Sequence, residues 1–154
     1  HVYSWVMNNY WFTNFRASQE GEFKWSYYIT STNDISNTQA ARSGWNSRTP
    51  MIPRVLPSGN ASESEATLST LDLGLPNVLL VGARPASHRD GIVLQLREVD
   101  GKAITVDVAQ ILSHAKIRTM REVDVLENDL GESLSALSFS PFESKFIRIE
   151  AKAK

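Results

Sequence analysis

Ile92-Val93-Leu94-Gln95-Leu96-Arg97-Glu98-Val99, then Asp100-Gly101, then Ile104-Thr105-Val106-Asp107-Val108 is the stretch that decides the fold. Successive side chains of an extended chain point to opposite faces. The first run therefore sorts Ile92, Leu94, Leu96 and Glu98 onto one face and Val93, Gln95 and Arg97 onto the other. Asp100-Gly101 suits the left-handed backbone of a tight turn, so the two runs predict an antiparallel hairpin.

The same signals spread outward in both directions. Val78 to Ala83 is a continuous apolar run, which predicts a central strand buried on both faces. Thr67 to Leu73 alternates. Ile117 to Val125, Ser135 to Phe139 and Phe146 to Glu150 supply further strands. At the start, Val2 to Phe15 is dense in strand-favouring aromatic and branched residues, and Phe23 to Thr30 answers it across Gln19-Glu20-Gly21-Glu22. Between these β regions, Asn33 to Ser47 reads as a short helix with Asp34 and Ser36 as candidate N-caps and Gly44 as its stop. Pro50, Pro53 and Pro57 then punctuate an extended segment, and Ser58 to Glu65 reads as an exposed polar loop. The expectation is about nine strands in one domain spanning residues 1–154. Its fold class is all-β, an antiparallel β-sandwich with one short helix in a connection.

Composition narrows the chemistry. With 42% apolar and 21% charged residues, the chain reads as an ordinary globular one. A formal net charge of −1 gives no general attraction to nucleic acid or anionic lipid, and no Lys and Arg run supplies a local one. No apolar stretch nears the roughly 20 residues of a spanning helix. Neither nucleic acid nor a membrane is expected as a partner. The chain has no cysteine, which excludes disulfides, thiolate metal sites and a cysteine nucleophile. It opens at His1 directly into a strand-like run, as expected of a piece of a longer protein.

Catalytic patterns are sparse. His1, His88 and His114 lie far apart and in no metal-ligand spacing. No nucleophile elbow and no glycine-rich phosphate loop is present. Glycoside hydrolysis needs two carboxylates about 5–10 Å apart. The 17 acidic residues fall mostly in polar turns, among them Glu63, Glu65, Asp100, Glu127, Asp129 and Glu132, and no two stand out as a pair. Asn60-Ala61-Ser62 fits the N-glycosylation acceptor pattern in the polar loop.

The aromatic start is richer. Tyr3, Trp5, Tyr10, Trp11, Phe12 and Trp25 crowd into the first 25 residues, with Asn8, Asn9 and Asn14 among them. Aromatic faces stack on sugar rings and amides bond to sugar hydroxyls. Half-buried strands also recruit aromatics for packing, so both readings stay open. Asn9, Trp11, Asn14, Trp5 and Trp25 are the candidate carbohydrate or interdomain contacts.

Tyr3-Ser4-Trp5-Val6-Met7-Asn8-Asn9-Tyr10-Trp11-Phe12-Thr13-Asn14-Phe15, followed by Gly21-Glu22-Phe23-Lys24-Trp25, resembles a segment of the non-catalytic region of family 38 glycoside hydrolases, the α-mannosidase family. Asn77 to Val81, Arg84-Pro85-Ala86 and Asp90 to Glu98 with Gly101 look like that family's late hairpin, where a strand of the form L-R-x-x-E precedes a turn glycine. Leu137-Ser138-Phe139-Ser140-Pro141-Phe142-Glu143 resembles its closing P-F-E connection. The matches arrive in the family's order, but Ser144-Lys145-Phe146 stands where the family usually has a threonine.

The resemblance implies a C-terminal β domain of an α-mannosidase-type glycosidase. The nucleophilic Asp and the divalent cation, typically zinc, would belong to a catalytic domain that is not in this sequence. No catalytic residue, metal ligand or cofactor is then expected in this chain. Its partners would be that N-terminal catalytic domain and mannose-containing glycans. The alternative is an autonomous carbohydrate-binding module in which Trp5, Trp11 or Trp25 forms an exposed stacking platform.

Overall fold

Strand-forming sequence becomes a strand only where a neighbour completes its backbone hydrogen bonds, and the ladders here differ from the expected ones. The structure, a computed structural model, describes residues 1–7, 18, 20–49, 52–53, 71, 73–114 and 117–151. The chain divides into two units, His1–Ser31 and Thr32–Lys154. The second holds helix α1 (Asn37–Arg48), strands β1 (Val78–Pro85), β2 (Ile92–Glu98) and β3 (Ile104–Asp107), helix α2 (Val108–His114), and strands β4 (Ile117–Val123), β5 (Asp129–Ser133), β6 (Ala136–Phe139) and β7 (Ser144–Ala151). Five strands form an antiparallel sheet in the order β1-β2-β7-β4-β5, and β3 pairs with β6 in a second sheet. Leu94, Leu96, Met120 and Ile147 from the first sheet share one apolar core with Val108 and Ile111 of α2 and Leu137 and Phe139 of β6. The class is all-β and sandwich-like, as expected, with two short helices rather than one.

The hairpin expected across Asp100-Gly101 does not form. The tight turn is there, with Gly101 at φ 72, but the chain uses it to leave the large sheet. β2 pairs with β1 and β7, while β3 crosses to β6. The alternation of β2 holds in part: Leu94 and Leu96 enter the shared core and Arg97 is exposed, but Ile92, on the expected core face, is exposed and Val93, on the other face, is buried.

The central place expected for Val78 to Ala83 falls to β7. Among the described residues β1 lies at the sheet edge and pairs only with β2, its register broken between Leu80 and Gly82. Leu80 is 41% exposed. A run of apolar residues reports average hydrophobicity, not the number of sheet faces that are covered. In β7, Ile147, Arg148 and Ile149 are consecutive and all buried, so that strand is covered on both sides.

The helix expected over Asn33 to Ser47 is α1. Ser36 is its N-cap, accepting from the Gln39 amide at 3.2 Å. Gly44 does not stop it; the helix runs on to Arg48. A mid-helix glycine costs only about 1 kcal/mol. The cap and two tethers offset that: Arg42 Nη2 donates to the Pro76 carbonyl at 2.7 Å, and Asp100 Oδ1 accepts from the Asn37 amide. In the first unit, residues 22–30 join no ladder, so the second strand expected at Phe23 to Thr30 is not formed. The strand expected at Thr67 to Leu73 lies outside the described residues except for Leu71 and Leu73.

Candidate functional site

The described aromatics of the first unit are exposed. Trp5 is 82% exposed and Trp25 47% exposed, and Tyr3, Tyr27 and Tyr28 are exposed with them. Residues 2–7 and 22–30 have no ladder to give these side chains an inward face. Two local contacts shape the surface. Trp5 Nε1 donates to the Met7 carbonyl at 2.8 Å, and a 2.7 Å hydrogen bond joins Ser4 Oγ to Tyr27 Oη. The rings of Phe23 and Trp25 lie 5.7 Å apart and 28° from parallel, a stacked pair of which both residues are exposed. Of the five candidate contacts, the structure thus places Trp5 and Trp25 on the surface. Asn9, Trp11 and Asn14 lie outside the described residues.

In the second unit, a groove of about 440 Å³ opens on the large sheet between β1 and β4, lined by Leu80, Ala83, Ile92, Leu94, Ile117 and Ile149. Leu80 and Ile92 are exposed at its rim. Among the described residues the lining carries no charged side chain, so it suits apolar groups.

Several of the acidic residues are held in hydrogen-bond networks. Glu98 is fully buried on the apolar face of β2. Its Oε1 accepts from Asn77 Nδ2 at 2.8 Å and the Asp100 amide at 2.7 Å. Its Oε2 accepts from the amides of Gly101 at 2.9 Å and Phe142 at 2.7 Å. Burial pushes this carboxyl up, but the amides of Phe142 and Asp100, the Asn77 side chain and the Lys102 backbone outweigh it and hold the value at about 2. One side chain thereby fixes the β2 exit, the turn and the Pro141-Phe142 connection, where Phe142 sits at φ 61.

A second knot lies across the other end of the chain's hairpins. Glu127, in the β4–β5 turn, accepts from the Ser87 amide at 2.7 Å, from Ser87 Oγ and from Arg84. The Ser87 amide first, then Arg84, pull its carboxyl down to about 2 against burial. Nearby, Asp129 Oδ2 accepts from Arg89 Nη1 at 2.9 Å. Asp129 Oδ1 lies 2.7 Å from Nη1 of the buried Arg148, a charge contact that gives neither atom a well-angled hydrogen bond.

These networks fix what the acids can do. Asp34, Glu98, Asp100, Asp124, Glu127, Asp129 and Glu150 are all held below their ordinary values. A glycosidic general acid needs the opposite displacement, a carboxyl kept protonated near neutral pH. Among the described residues, no group of three His, Cys, Asp or Glu could hold a metal ion.

Sequence reasoning missed the Glu98 knot. The signal was present: an acid on the same strand face as Leu94 and Leu96, two residues before a turn glycine's neighbour. The stretches that carry the family resemblance around Asn77, Glu98, Gly101 and Phe142 converge on it. No family model matches this chain, and no curated protein matches it.

Proposed function

We propose that this chain is a non-catalytic β domain of an α-mannosidase-type glycoside hydrolase, packing on the catalytic domain of the same polypeptide and helping to wall its carbohydrate groove. The observation that carries the reading is the exposure of the described aromatics of the first unit, Trp5 and Trp25 among them. Each square ångström of apolar surface removed from water contributes about 25 cal/mol, so clustered exposed aromatics mark a surface that a partner covers. The apolar groove of the second unit is a further surface of this kind. The identity of the partner rests on the resemblance of Tyr3 to Trp25 and of the two later stretches to family 38. The divalent cation and the nucleophile are assigned to the catalytic domain, and the hydrogen-bond knots at Glu98 and Glu127 support a structural role for those two acids.

A second reading, an autonomous carbohydrate-binding module, is favoured by one specific observation. The stacked Phe23–Trp25 pair is presented to solvent, where a pyranose ring could lie against it.

One experiment separates the readings. Hydroxyl-radical footprinting, read residue by residue by mass spectrometry, is applied to Trp5 and Trp25 in this chain and in the polypeptide encoded together with an upstream α/β domain. Docking protects both side chains several-fold in the longer protein. Equal reactivity in the two proteins, or no such domain encoded upstream of His1, overturns the docking reading. Protection in this chain alone by a mannose oligosaccharide establishes the binding module instead.

A further inference from the structure

We draw no further inference here: the strongest candidate, the apolar groove of about 440 Å³ between β1 and β4 on the large sheet, belongs to the surfaces already described, and nothing in the structure shows what covers it.

Discussion

Glu98→Gln is the substitution that tests most of the structure at once. Each Glu98 oxygen accepts two hydrogen bonds, four in all, from Asn77, Asp100, Gly101 and Phe142. Glutamine keeps one oxygen and turns the other into an amide nitrogen. That nitrogen then faces two N–H donors. A buried donor without a partner costs about 1–3 kcal/mol, so two of them cost roughly 2–6 kcal/mol. Linkage gives an independent figure. Lowering the carboxyl from its ordinary 4.5 to about 2, at about 1.4 kcal/mol per pH unit, ties roughly 3 kcal/mol of folding free energy to ionisation. The sign follows from a folded value below the unfolded one. The contribution is fully present above about pH 5 and is lost as pH falls through 4.5 toward 2. Urea unfolding at pH 7 should therefore place the variant about 3 kcal/mol below the native chain. Repeated at pH 3, the gap should shrink by about half or more. A loss below about half a kcal/mol at pH 7, or a gap that does not change with acid, would refute the assignment of Glu98 as the ionised centre of this knot.

Three further outcomes follow from positions in the sheet and in the chain. Leu96→Ala, at a fully buried site, should cost roughly 2–5 kcal/mol, whereas Leu80→Ala on the exposed edge should cost under about 1 kcal/mol; equal losses in urea would show that β1 is buried after all. Gly91→Ala places a Cβ 2.4 Å from the Ile149 carbonyl oxygen at φ 122 and should lose at least about 1–3 kcal/mol, while Gly44→Ala meets nothing within 4 Å in a helix and should gain about 0.5–1 kcal/mol; a thermal melt in which both move the same way contradicts the placement of these two glycines. The chain alone should release no aryl group from an aryl α-mannoside with or without added zinc, and zinc-dependent release that follows this chain through purification would contradict the proposed role.

Periodicity made part of this fold legible. β2, β4, β6 and β7 fall where apolar alternation or branched runs put them, because a strand with one covered face segregates its side chains and one covered on both, as β7 is, need not. The misplaced elements share a cause: pairing is decided by residues far away in sequence. Val78 to Ala83 is as apolar as a central strand, yet β2 takes β1 on one edge and β7, from fifty residues downstream, on the other, and among the described residues no strand pairs with the far side of β1. α2 was hidden because Val108 continues the alternation of β3. Asp107 Oδ1 then takes the Ala109 amide at 2.8 Å, and Val108, Ile111 and Leu112 recur at helical spacing toward the core.

The candidate site was legible in residue type and not in environment. Aromatic content marks Trp5 and Trp25, but only the structure tells a packed ring from an exposed one, and here it finds them exposed. Glu98 reverses the case. Turn-adjacent acids usually face water, as Glu132 does in β5, and the local sign that sets Glu98 apart is the strand face it shares with Leu94 and Leu96. What makes its burial tolerable lies elsewhere: Phe142, forty-four residues on, whose amide completes the carboxylate's shell. A buried charge persists only where such donors converge. The acid that looks least like a structural residue by composition is therefore the one the turn and the P-F-E connection are built around, and a carboxylate with four donors has no lone pair free for a substrate.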